Sequence, residues 1–82
     1  MLDRTVLVKI IETKMPFGKH KGRWIDEIPI SYLEWRRNSV TGFPKNKLGM
    51  LLETMYVINS NGIEFLLKPL IESSNRSKKT YQ

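Results

Sequence analysis

Apolar residues between Leu2 and Lys14 allow two readings. Val6, Val8, Ile10 and Ile11 favour a strand by propensity, whereas Leu2, Val6, Leu7, Ile10 and Ile11 fall at helical spacing. A strand would put Arg4 and Glu12 on the same face as Val6, Val8 and Ile10, so the period predicts a helix, with Asp3 as its cap before Arg4. The pattern changes at Met15-Pro16-Phe17-Gly18-Lys19-His20-Lys21-Gly22-Arg23-Trp24-Ile25, where two glycines bracket a polar tip flanked by Phe17 on one side and Trp24 with Ile25 on the other. That arrangement predicts a β-hairpin, with Gly22 at a positive-φ turn position leading into the returning strand.

Helical patterning then resumes. Pro29 stands where a helix could open, and Ser31 with Glu34 predicts a capping box for a short helix through Arg37, with Tyr32 and Trp35 sharing a face. Pro44 is placed to be the first residue of a longer helix carrying Leu48, Leu51, Leu52, Met55, Tyr56 and Ile58 as an apolar stripe. Asn59-Ser60-Asn61-Gly62 ends it, and a last short helix over Ile63 to Leu70 turns Ile63, Leu66, Leu67 and Leu70 inward, with Pro69 near its end. The expected architecture is α+β: an N-terminal helix, a β-hairpin, then three helices. Residues 1–71 make one globular domain. Residues 72–82, with no aliphatic side chain, read as a disordered basic tail.

Length limits what such a fold can rest on. An 82-residue chain without cysteine has no disulfide and no cysteine-ligated zinc, so packing alone must supply roughly 4 to 11 kcal/mol at ~0.05–0.15 kcal/mol per residue. No run approaches the ~18 apolar residues of a membrane span, and Asp3, Arg4 and Lys9 break up any secretory signal, so the expected location is the cytoplasm.

The net charge of +6 is unevenly spread. Between Lys14 and Lys47 eight basic residues face only Asp26, Glu27 and Glu34, a local excess of +5 that suits a polyanionic partner. Lys19, His20, Lys21 and Arg23 fall within five residues at the expected hairpin tip, where Gly18 and Gly22 allow a ligand to approach the backbone. Lysine and arginine on a turn reach successive phosphate oxygens, and an arginine can fork two hydrogen bonds to one of them. Phe17, Trp24, Tyr32 and Trp35 are able to stack on bases, although their spacing suits core packing better.

Catalytic patterns are absent. A hydrolytic metal site needs converging carboxylates or histidines, and the chain has one histidine and acids that are mostly isolated. The adjacent pair Asp26 and Glu27 precedes Pro29 and a helix start, where favourable interaction with the helix dipole is its expected role. Gly18-Lys19-His20-Lys21-Gly22 is one residue too short between its glycines for a Walker loop, and Arg23-Trp24 follows where Lys and Ser or Thr should stand. No catalytic residue, metal or cofactor is expected.

The string Met15-Pro16-Phe17-Gly18-Lys19-His20-Lys21-Gly22, followed in order by Ile28-Pro29, Tyr32-Leu33-Glu34-Trp35, Gly42-Phe43-Pro44, Leu48-Gly49 and Asn61-Gly62-Ile63-Glu64, resembles a small bacterial family of unknown function. That family is labelled putative quorum-sensing-regulated virulence factor. The resemblance spans roughly Glu12 to Leu70 and favours a helix before Met15; in the related sequences tyrosine is common at the position of His20. A similar MPFGK-x-KG module looks to be appended to some exonuclease X-like and proofreading-type 3′–5′ exonucleases, which implies an accessory role near nucleic acid. The nuclease motifs themselves are missing from this chain.

The expected function is thus a non-enzymatic nucleic-acid-binding module in which Lys19, His20, Lys21 and Arg23 contact phosphates, supported by Lys45 and Lys47 at the start of the long helix, because helix N-termini favour anions. The alternative is a protein-interaction or regulatory module whose partner is acidic or docks on an aromatic surface left open by so small a core.

Overall fold

A computed structural model describes residues 3–74. The first helix, α1 (Arg4–Glu12), opens as the period suggests: the Asp3 carboxylate accepts from the Val6 N–H at 3.0 Å, and Leu7, Ile10 and Ile11 are buried on one face. Thr13 ends it in extended backbone, its hydroxyl donating to the Lys9 carbonyl.

The segment that follows is a closed loop and not a β-hairpin. Lys14 and Trp24 form one isolated antiparallel bridge. Beyond it Met15 donates to the Arg23 carbonyl and accepts from the Gly22 N–H, both at 2.8 Å, so two residues on one arm oppose a single residue on the other. A ladder cannot extend in either direction. Towards the tip, Pro16 has no N–H to donate and Gly18 and Gly22 leave the extended region at φ +81° and +89°. Away from it, Thr13 is already the cap of α1 and Ile25 already opens the 3-10 turn Ile25–Glu27. The α+β expectation is therefore corrected: among the described residues the fold is all-helical.

Gly22 does take the turn position foreseen for it. Arg23 donates to the His20 carbonyl at 3.0 Å across a four-residue turn whose third residue is Gly22. A Cβ there would touch nothing within 4 Å, so any penalty is purely conformational. Gly22→Ala should cost about 1 kcal/mol. Thermal denaturation checks this, and an unchanged midpoint would show that the turn relaxes without strain.

The second helix, α2 (Ile30–Arg37), is capped by Pro29 without any side-chain bond, so the Ser31 and Glu34 capping box is not formed and Pro29 lies just outside the first turn. Leu33 is its only buried residue, while Arg36 and Arg37 complement the carbonyl end. The third helix, α3 (Lys47–Ser60), begins three residues after Pro44. Asn46 is the cap, accepting from the Gly49 N–H at 3.1 Å, and Pro44 belongs to the preceding loop. Leu51, Leu52, Met55 and Ile58 are buried as the stripe requires, with Leu48 and Tyr56 packed at its edges. Its end is a Schellman motif: Ile63 donates to the Ile58 carbonyl and Gly62, at φ +66°, to that of Asn59.

The last expected helix is divided. A 3-10 turn, Glu64–Leu66, precedes α4 (Lys68–Ser73), and Pro69 sits in the first turn of α4 instead of near a helix end. Proline there sacrifices only a donor that a first turn leaves unused, whereas a helix running through it from Ile63 would lose a hydrogen bond. Leu67 is buried, Ile63 and Leu70 pack on the core, and Leu66 faces solvent. Glu72 and Ser73, expected in the tail, complete α4; residues 75–82 of that tail lie outside the described residues.

One core holds these pieces together. α3 packs on α2, on α1 and on the Ile25–Glu27 turn, while α1 also packs on α4 and on that turn. Met15, Ile25 and Ile28 are buried in the same cluster, so both feet of the 15–23 loop and the entry to α2 are anchored in the interior. Among the described residues no helix is long and apolar enough to cross a membrane.

Candidate functional site

Anchoring the loop at Met15 and Ile25 brings its tip against the outer face of α2. Two ring contacts hold it there. The His20 imidazole meets Tyr32 edge-on, with ring centroids 4.8 Å apart at 81°, and the Arg36 guanidinium lies over the Phe17 ring at 5.7 Å. Between loop and helix lies a groove of about 530 Å³. Its aromatic walls are Phe17, Tyr32 and Trp35; its cationic or basic side chains are Lys19, His20 and Arg36; no carboxylate lines it.

The helical phase of α2 decides what the groove exposes. With Leu33 turned into the core, Trp35 stands about 200° away around the axis, on the solvent side. Its side chain is 61% exposed, against 40% for Phe17, while Tyr32 is half-buried. The expectation that these rings belong to the core is corrected for Phe17 and Trp35. Trp24 is half-buried at the loop's base with the Lys14 ammonium 4.8 Å from its ring centroid.

The six expected phosphate ligands divide by position. Lys19 and His20 line the groove; Lys21 and Arg23 are exposed on the same loop but are not part of its lining. Lys45 lines a different depression, with Arg37, Phe43 and Glu53, and Lys47 a third one, between α1 and α3, beside Lys9 and Lys14. Gly18 and Gly22 both hold positive φ, and a Cβ on Gly18 would lie 3.5 Å from the Tyr32 hydroxyl, an ordinary contact.

Arg36 is the residue that sequence reasoning passed over. It is half-buried, its Nε is buried without a hydrogen-bond acceptor, and it projects beside Lys19 and His20 into the groove. Its place next to Trp35 on a short helix was the available signal; nothing in the sequence pointed to its pairing with Phe17. Asp26 and Glu27 do not line the groove, and among the described residues no three His, Asp or Glu side chains gather as a metal site would need.

Residues 3–70 match the family described as "Putative quorum-sensing-regulated virulence factor". The chain belongs to this family. It is 38% identical over 71 residues to the protein of Escherichia coli named "Uncharacterized protein YpeB", in two strains, covering 84% of this chain and 94% of that protein. No solved structure matches the chain. Family membership thus takes in the whole groove, from Phe17 to Arg36, but the relatives' names assign it no activity.

Proposed function

We propose that this protein is a non-enzymatic nucleic-acid-binding module that holds phosphates at the 15–23 loop and the groove beside it. The observation that carries this reading is a carboxylate-free cleft lined by Lys19, His20 and Arg36, continuous with a loop that also exposes Lys21 and Arg23. Grouped cations without an acid among them attract a polyanion and repel cationic partners. The likeness of the MPFGK-x-KG string to a module appended to exonuclease X-like enzymes belongs to the same proposal, as an accessory role beside nucleic acid.

Binding of a labelled mixed-sequence oligonucleotide, followed by fluorescence anisotropy across a salt series, tests it. Four to six phosphate contacts imply that log K falls with log salt at a slope of roughly −3 to −5. Absence of binding even at about 50 mM salt, where such contacts are strongest, would overturn the reading. An acidic protein surface would then be the better partner for the same cations.

A further inference from the structure

We infer that the groove takes single-stranded in preference to duplex nucleic acid, with one base stacked on the Trp35 indole and the adjoining phosphate drawn to Arg36 and Lys19; this rests on the nucleic-acid reading above. The argument starts from Trp35. A large aromatic ring 61% exposed on a chain with so small a core forgoes burial that would stabilise the fold. Tyr32 lies 5.8 Å away at 40°, so it flanks the indole without covering it in a parallel stack, and Trp35 lines the groove.

A base can stack on such a ring only when its own face is free. In a duplex each base is covered above and below by its neighbours, so a double helix offers this groove phosphates and sugar edges but no π-face. A single strand offers both. The volume of about 530 Å³ lies within the roughly 300–1,000 Å³ typical of sites for small organic groups, whereas a duplex would meet only the rim.

The cationic side is arranged in advance. Arg36 is steadied by the Phe17 ring and lines a groove free of carboxylates, so its terminal N–H groups are left for a phosphate oxygen. The His20–Tyr32 contact fixes the loop that carries Lys19. Binding therefore orders little that is not already ordered, and stacking adds to charge attraction instead of replacing it.

The full chain should be titrated with a labelled mixed-sequence oligonucleotide, once as a single strand and once as its duplex, at one salt concentration. Tighter binding of the single strand by about tenfold or more is expected, from one base–aromatic stack. Trp35→Ala should weaken the single strand by roughly ten- to a hundredfold, leave the duplex unchanged and leave the salt slope unchanged, since stacking releases no counterions. Trp35→Phe, which keeps a ring, should retain most of the affinity, and its circular dichroism should match the parent's. Equal binding of both forms with no effect of Trp35→Ala would overturn the single-strand inference while the nucleic-acid reading stands. A Trp35→Ala loss that falls equally on the duplex, or that Trp35→Phe reproduces in full, would overturn the stacking role. Absence of binding by either form would overturn both readings.

Discussion

Gly49→Ala is expected to destabilise this protein by about 2–3 kcal/mol, against the usual direction for such a change. In an exposed helix interior, alanine is favoured over glycine by ~1 kcal/mol. Gly49 is buried in the first turn of α3, and there a Cβ would overlap the Pro44 carbonyl, lying 2.6 Å from its carbon and closer still to its oxygen. Because the obstruction is backbone, no side chain can rotate away; the 44–46 loop must lift off the helix. Lifting it also disturbs the bond from the Gly49 N–H to the Asn46 side chain, which satisfies one of the unpaired donors of the helix start. Overpacking typically costs 1–3 kcal/mol or more, which exceeds the propensity gain. For a domain of this size the melting temperature should fall by roughly 10–20 °C. A rise would show that the loop does not rest on the helix.

The same contact explains why α3 starts later than its sequence predicts. Proline with its fixed φ suits a first helical position, so Pro44 was the natural choice. What moved the start to Lys47 is tertiary: Pro44 is held over Gly49, and Asn46 is free to cap. The middle of α3 was legible because burial of Leu51, Leu52, Met55 and Ile58 follows from a 3.6-residue period whatever the ends do. Period likewise resolved α1, where strand propensity pointed the other way. The 15–23 loop was half legible. Its closure and the turn at Gly22 came from the glycines, but the chain's two arms are too short, and too soon committed to a helix cap and a 3-10 turn, to form strands.

Of the groove, the sequence disclosed the charges, and offered the rings only as a secondary reading. Lys19 and His20 were visible as a cluster because they are consecutive. The spacing of Phe17, Tyr32 and Trp35 favours core packing over base stacking, yet the phase of α2 sets Trp35 opposite Leu33. Choosing Leu33 as the inward residue required knowing that α3 lies beneath it, which is a matter of packing. Lys45 and Lys47 show the converse limit: two residues apart in sequence, they line different depressions.

That division sharpens what replacing the loop's cations should do. With Lys19, Lys21 and Arg23 all changed to alanine, oligonucleotide binding should weaken alike for every sequence, and the salt slope should flatten by ~2–3 units, because phosphate contacts carry no base information. All three side chains are exposed, so the fold should survive and the melt should stay near the parent's. Changing Lys45 and Lys47 to alanine should flatten the slope less, since neither lines the groove. Adding Arg36→Ala to the triple variant should lower the slope further by ~1 unit if its guanidinium meets a phosphate. It should also loosen the tip, because Phe17 loses the group that covers it. A triple variant that binds as the parent does would show that the loop is not the phosphate-holding surface. If the Lys45 and Lys47 pair proved dominant instead, phosphates would be held at the start of α3, and the groove would be free for another partner.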